Sequence, residues 1–174
     1  MIKFDTTFKA AARMSRWFNK AADGSLPLAE YLSAQKAKNK IKNQFTELEE
    51  ASRNIAMSYQ EKLMQYKQAN PKVDLETYNP PELQLAWTQV EKDQKELSKT
   101  PMTYKLEQKE FQHLQTAVDN IVRNLYEMIQ KKNKGEKFDE KEPFPTEEDL
   151  SLIAEFKENM DAFEKDKKGE KSDD

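Results

Sequence analysis

Residues 27–68, PLAEYLSAQKAKNKIKNQFTELEEASRNIAMSYQEKLMQYKQ, contain no glycine, and proline stands only at the first position. A proline there suits the opening turn of a helix, where an N–H would go unpaired anyway. Beyond it Ile41, Phe45, Leu48, Ser52, Ile55, Tyr59, Leu63 and Tyr66 recur at spacings of three and four, the period of a helix that lays one seam against a neighbour. The stretch predicts a single helix, roughly 60 Å long at about 1.5 Å per residue. The apolar edge of such a rod needs partners along its length, and protein binding through helix faces is the expectation that follows. A break in the middle of the rod would take the protein-binding reading drawn from it away as well.

Upstream, Ile2 to Phe4 alternates apolar and basic, and Asp5 and Thr6 are good N-caps for a helix over 7–22 that Gly24 would close. Phe8, Ala11, Ala12, Ser15 and Phe18 form one face of that helix, widened by Met14, Trp17 and Ala21. Downstream, Asn70-Pro71 and Asn79-Pro80 are turn chemistry, and Pro81 opens a helix to Ser98 with the stripe Leu83, Ala86, Trp87, Val90 and Leu97. Trp17 with Phe18, and Trp87, are candidates for anchoring an interface, but aromatics at helical spacing more often pack inside, so both tryptophans are expected in the core. Met102 to Leu106 alternates in strand fashion and is expected to pair with Ile2 to Phe4 as a two-stranded ribbon. A helix over 107–132, with Phe111, Leu114, Val118, Ile121, Leu125 and Met128, should lie antiparallel to the long helix.

From 134 to 145 the composition turns to Lys, Glu, Gly and Pro, the signature of a linker. Thr146 followed by Asp149 is a variant of the capping box, and an acidic amphipathic helix follows over 147–165. Residues 166–174 have no apolar side chain and read as a disordered tail. The predicted fold is all-α: an elongated helical bundle around a long antiparallel helical hairpin, with a two-stranded β ribbon of residues 2–4 and 102–106. Its parts are a bundle domain over 1–133, a linker over 134–145, a helical module over 146–165 and the tail.

A charged fraction of 35% against a hydrophobic fraction of 36% favours helices with narrow apolar stripes over a thick globule. The absence of cysteine rules out disulfides, thiolate metal sites and a cysteine nucleophile, and fits a reducing compartment. No stretch resembles a signal peptide or approaches the ~20 apolar residues of a membrane span, so the cytoplasm is expected. His113 is the one histidine. A single imidazole beside a seam residue makes neither a metal site nor a triad, and it reads as a helix-flank residue. With no glycine-rich phosphate loop and no Glu-x-x-His pair, neither enzyme activity nor a cofactor is expected.

Charge is distributed unevenly. Residues 1–45 carry nine Lys or Arg against three acids, whereas residues 134–174 carry eight against fifteen, so the two ends are of opposite sign. Arg13, Arg16, Lys20, Lys36, Lys38, Lys40 and Lys42 are candidates for meeting an anionic partner, either nucleic acid or an acidic protein face. The alternatives are plain solvation and neutralisation by the acidic C-terminal helix. That helix offers Leu150, Ile153, Phe156, Met160 and Phe163 as a face that must dock on this chain, on a second copy or on a foreign partner.

The order "MIKF", a helix, "LPL", a very long helix ending in "SYQEKLMQY", a turn, "AWTQVEKDQKEL", the extended "MTYKL" and the helix "FQHLQTAVDNIV" resembles small uncharacterised proteins of tailed bacteriophages over residues 1–130. That family lends no activity and no functional residue. The resemblance implies a phage setting, in the host cytoplasm or in the virion. The expected function is a non-enzymatic adaptor or inhibitor that docks on a host or phage protein. A nucleic-acid-binding protein and a self-associating virion component are the alternatives.

Overall fold

The structure, a computed structural model, describes residues 1–21, 26–136 and 144–169. Among these run β1 (Ile2–Thr7), α1 (Phe8–Ala21), α2 (Leu28–Gln44), α3 (Thr46–Ala69), α4 (Pro81–Ser98), β2 (Pro101–Leu106), α5 (Gln108–Asn133) and α6 (Glu147–Gly169). The described residues are mostly helical, with one small sheet among them. It divides into two compact units, Met1–Gln44 with Pro101–Asp174, and Phe45–Thr100 inserted between them in sequence.

The helix predicted over 27–68 is two helices. Phe45, at φ −109° and ψ 12°, leaves the helical path between α2 and α3. No glycine or proline marks the place, but charge does. Lys42 lies in the last turn of α2, and Glu47 and Glu49 lie in the first turn of α3, the signs that suit a helix end followed by a helix start. The two halves of the seam serve different neighbours, α2 running along α5 and α3 along α4. Support for protein binding from an unbroken rod is therefore lost.

In the first unit β1 and β2 are antiparallel, with Ile2 opposite Leu106, Phe4 opposite Tyr104 and Thr6 opposite Met102. These six side chains are buried, while Lys3, Asp5, Thr103 and Lys105 face outward. The ribbon is longer than predicted. Asp5 and Thr6, expected to cap a helix, are strand residues, and the cap is Thr7, whose Oγ1 accepts a bond from the Ala10 N–H at 3.3 Å.

Phe4 is the aromatic hub, its ring centroid 5.3 Å from Tyr104, 5.5 Å from Phe111 and 5.7 Å from Phe156. One residue thus joins ribbon, α5 and α6. Tyr104 is fully buried, and its hydroxyl donates to the Met102 thioether at 3.3 Å, a weak acceptor. Burial raises its pKa far above the ordinary phenol value. Because so little is gained from that hydroxyl, Tyr104→Phe should change unfolding free energy by less than about 1 kcal/mol in urea denaturation. A loss beyond about 2 kcal/mol would mean that the hydroxyl has a stronger acceptor.

Helix α1 packs against α2, α5 and α6, which explains why both of its faces are apolar. Phe8, Ala11, Met14, Trp17 and Phe18 are all buried. Helix α5 has a locally closed start: Glu107 and Glu110 form a reciprocal capping box. At its end Gly135, at φ 74°, takes the left-handed conformation, its N–H bonding the Lys132 carbonyl while the Glu136 N–H bonds that of Lys131. The Gly24 cap lies outside the described residues, as do 137–143 of the predicted linker. Helix α6 continues to Gly169, into the segment expected to be disordered, and 170–174 lie outside the described residues.

The second unit is the antiparallel hairpin of α3 and α4. Ser52 Oγ donates to Gln94 Oε1 at 2.9 Å, Gln94 Nε2 donates to the Ser52 carbonyl at 2.7 Å, and the Tyr59 and Trp87 rings meet edge-on at 5.1 Å. Leu83, Ala86 and Val90 of α4 are buried, but none of the 24 residues of α3 is.

Candidate functional site

The basic residues singled out from the sequence are largely occupied within their own unit. Arg13 Nη1 bonds Asp149 Oδ1 at 2.7 Å and its Nη2 bonds Glu148 Oε2 at 3.0 Å, and Lys9 pairs with Glu148 as well. Lys40 Nζ donates to both Glu110 oxygens, at 2.8 and 2.7 Å, and Lys36 approaches the same carboxylate at 3.5 Å. Lys38 is buried, over the Phe18 ring and 3.2 Å from Asn19 Oδ1. Burial first, then the neighbouring Lys42, lowers its pKa. Arg16 is exposed, and Lys20 lies 5.6 Å over the Trp17 ring. Lys42, in the last turn of α2, also has a partner. Of the seven, Arg13, Lys36 and Lys40 meet carboxylates and Lys38 is buried, while Arg16, Lys20, Lys36 and Lys42 are exposed.

Part of this neutralisation comes from α6. Thr146 and Asp149 form the predicted cap, with Thr146 N–H to Asp149 Oδ2 at 3.0 Å and Asp149 N–H to Thr146 Oγ1 at 3.1 Å. Burial works to raise the Asp149 carboxyl. The Thr146 bonds and the Arg13 charge outweigh it and hold the group below the usual carboxylate range. At Glu148 the bond and charge of Lys9, with Arg13, act in the same direction.

Farther along, Thr7 Oγ1 donates to Glu155 Oε1 at 2.9 Å, and Lys157 bridges Asp119 and Asp161 at 2.7 Å each. Ile153, Phe156 and Met160 are almost wholly buried, and the Phe163 ring meets Phe111 at 5.4 Å, whereas Leu150 is half-buried. This face docks on α1, α5 and β1 of the same chain and is not open to a partner while docked.

His113 lies half-buried on α5 with Nδ1 unpaired, and nothing that could complete a metal site accompanies it among the described residues. No helix among them is long and apolar enough to cross a membrane. Trp17 is in the core as expected, but Trp87 is 49% exposed, its Nε1 donating to Glu91 at 2.8 Å.

The exposed aromatic belongs to an incompletely covered surface. Leu48, Ile55, Tyr59, Leu63 and Tyr66 of α3, the later seam residues of the sequence pattern, are each only half-buried in the hairpin. Helical spacing puts Ala56 and Leu63 on the side of the hairpin that Trp87 occupies. Beneath the opposite side lies a cavity of about 280 Å³, with Lys62, Gln65, Ala69 and Glu82 around Tyr66 and Leu83. It falls short of the roughly 300–1,000 Å³ usual for small-molecule pockets.

The Trp87 surface was not singled out from the sequence. The available signal was a seam of large side chains on α3 set against a partner stripe, on α4, that contains Ala86 and one aromatic. No protein-family model, no curated protein and no solved structure matches the chain.

Proposed function

We propose that this protein works without turnover, by binding another protein through a helix face, and that the face is the Trp87 side of the α3/α4 hairpin. One observation supports this: a 24-residue amphipathic helix has no buried residue, while a tryptophan beside it is half-exposed. Tryptophan and tyrosine bury large areas at little entropic cost, which makes such a pair a natural anchor for an interface. The setting implied by the resemblance over residues 1–130 is a tailed phage, with a host or phage protein, or another copy of the chain, as partner.

Nucleic-acid binding is less well supported, since Arg13, Lys36 and Lys40 are already paired with carboxylates and Lys38 is buried. The test compares the full chain with Trp87→Glu and with Lys105→Glu, a change on the outer face of the ribbon, as bait in host and phage-infected lysates. Retained protein should be lost with Trp87→Glu and kept with Lys105→Glu. Equal retention by all three baits, or binding to DNA that weakens steeply with salt, would reject the proposal.

A further inference from the structure

We infer that the Trp87 side of the hairpin is covered by a second copy of this chain, two hairpins meeting face to face with their α3 helices antiparallel. The inference rests on the protein-binding function above and names its partner. It starts from the pattern of charge along α3. Glu49, Arg53, Ala56, Gln60, Leu63 and Lys67 follow one another at steps of four and three, forming a row beside the inward seam on the side where Trp87 stands. Glu49 and Lys67 are 18 positions apart, which at 3.6 residues per turn is about five whole turns, so the two charges lie in line at opposite ends of the row.

The midpoint of that row falls at Ser58, level with the Tyr59–Trp87 contact. A two-fold axis at this level makes the surface self-complementary, as an isologous interface must be. It sets Glu49 against Lys67 of the second copy, and Lys67 against its Glu49. Small Ala56 lies at the crossing, where helix backbones must approach. The two tryptophans flank it. Neither Glu49, which is half-buried, nor Lys67, which is exposed, has an ion-pair partner among the described residues.

The rungs Ser52–Gln94 and Tyr59–Trp87, one heptad apart, hold α3 and α4 in register beneath this surface. The second hairpin would therefore meet a preset face. Two hairpins so stacked make a four-helix arrangement in which the half-buried side chains along this face become core.

The experiment is sedimentation of the full chain across micromolar concentrations, with Glu49→Lys, Lys67→Glu, the double reversal and Trp87→Glu. We expect a dimer whose dissociation constant rises by about tenfold or more in each single reversal and returns close to the original in the double reversal, where the ion pairs are restored with opposite sense. Trp87→Glu should be monomeric with an unchanged circular dichroism spectrum. A wild-type monomer throughout would overturn the inference. So would a dimer unaffected by the reversals, or a double reversal no better than the singles. A monomer that still needs Trp87 to hold a foreign protein would overturn the second-copy assignment alone and leave the protein-binding function standing.

Discussion

Phe156→Ala should lower the unfolding free energy of the isolated full chain by about 3–5 kcal/mol, the range for deleting a buried aromatic ring whose cavity cannot collapse. Phe156 is fully buried, and its ring stands edge-on to Phe4 at 5.7 Å, an interplanar angle of 87°. Phe4 is held in turn by Tyr104 and Phe111, so three further elements limit relaxation around the space left behind. Leu150→Ala is the control. It belongs to the same predicted face but is only half-buried, so about 1 kcal/mol or less is expected from the apolar area it removes. Urea denaturation of the two variants separates a core helix from a docking helix. Were the α6 face reserved for a partner, removing Phe156 would leave the isolated chain as stable as before, and a loss under about 1 kcal/mol would place the face outside the core.

The same residues show how far the sequence could be read. Periodicity of three and four placed Phe111, Leu114, Val118, Ile121 and Leu125 on one inward face, because only an amphipathic helix against a core gives that spacing. Turn chemistry placed the ends of α4 at Pro81 and Ser98. The break at Phe45 left no such mark. Both α2 and α3 are composed of good helix formers, and the change of neighbour from α5 to α4 is a tertiary event that a continuous heptad pattern conceals.

The destination of α6 was open for a similar reason. An amphipathic stripe records that a face will be covered, not by what. The acids Glu148 and Asp149 opposite Lys9 and Arg13 became informative only once the fold brought α1 and α6 together. Trp87 was misplaced because helical spacing does not distinguish the middle of a two-helix seam from its open margin.

Glu110→Gln should cost about 2 kcal/mol at pH 7, a loss that shrinks toward zero at pH 3. The carboxylate is buried and accepts from Lys40 Nζ at 2.8 and 2.7 Å and from its own helix cap, the Glu107 N–H, at 3.0 Å. A neutral amide keeps the shape but gives up the charge-assisted bonds, which are worth about 1.5–3 kcal/mol. Burial acts to raise the Glu110 carboxyl. The hydrogen bonds from Lys40 and Glu107 and the charges of Lys40 and Lys36 prevail, and hold it below the usual range. A carboxyl whose pKa is lowered by folding contributes fully above its unfolded value and loses that contribution as pH falls through the folded one.

The window of loss is therefore acidic, below about pH 4. There the wild-type group becomes a neutral acid, much like the glutamine that replaces it. Glu148 and Asp149, also lowered, titrate in both proteins and cancel in the difference. Denaturation of wild type and Glu110→Gln at the two pH values gives the answer directly. A difference that shows no decline on going from pH 7 to pH 3 would overturn this expectation. A difference that vanishes in acid would identify the Glu110 cluster as the ionic tie between α2 and α5, and would explain why Lys36 and Lys40 are held within the fold.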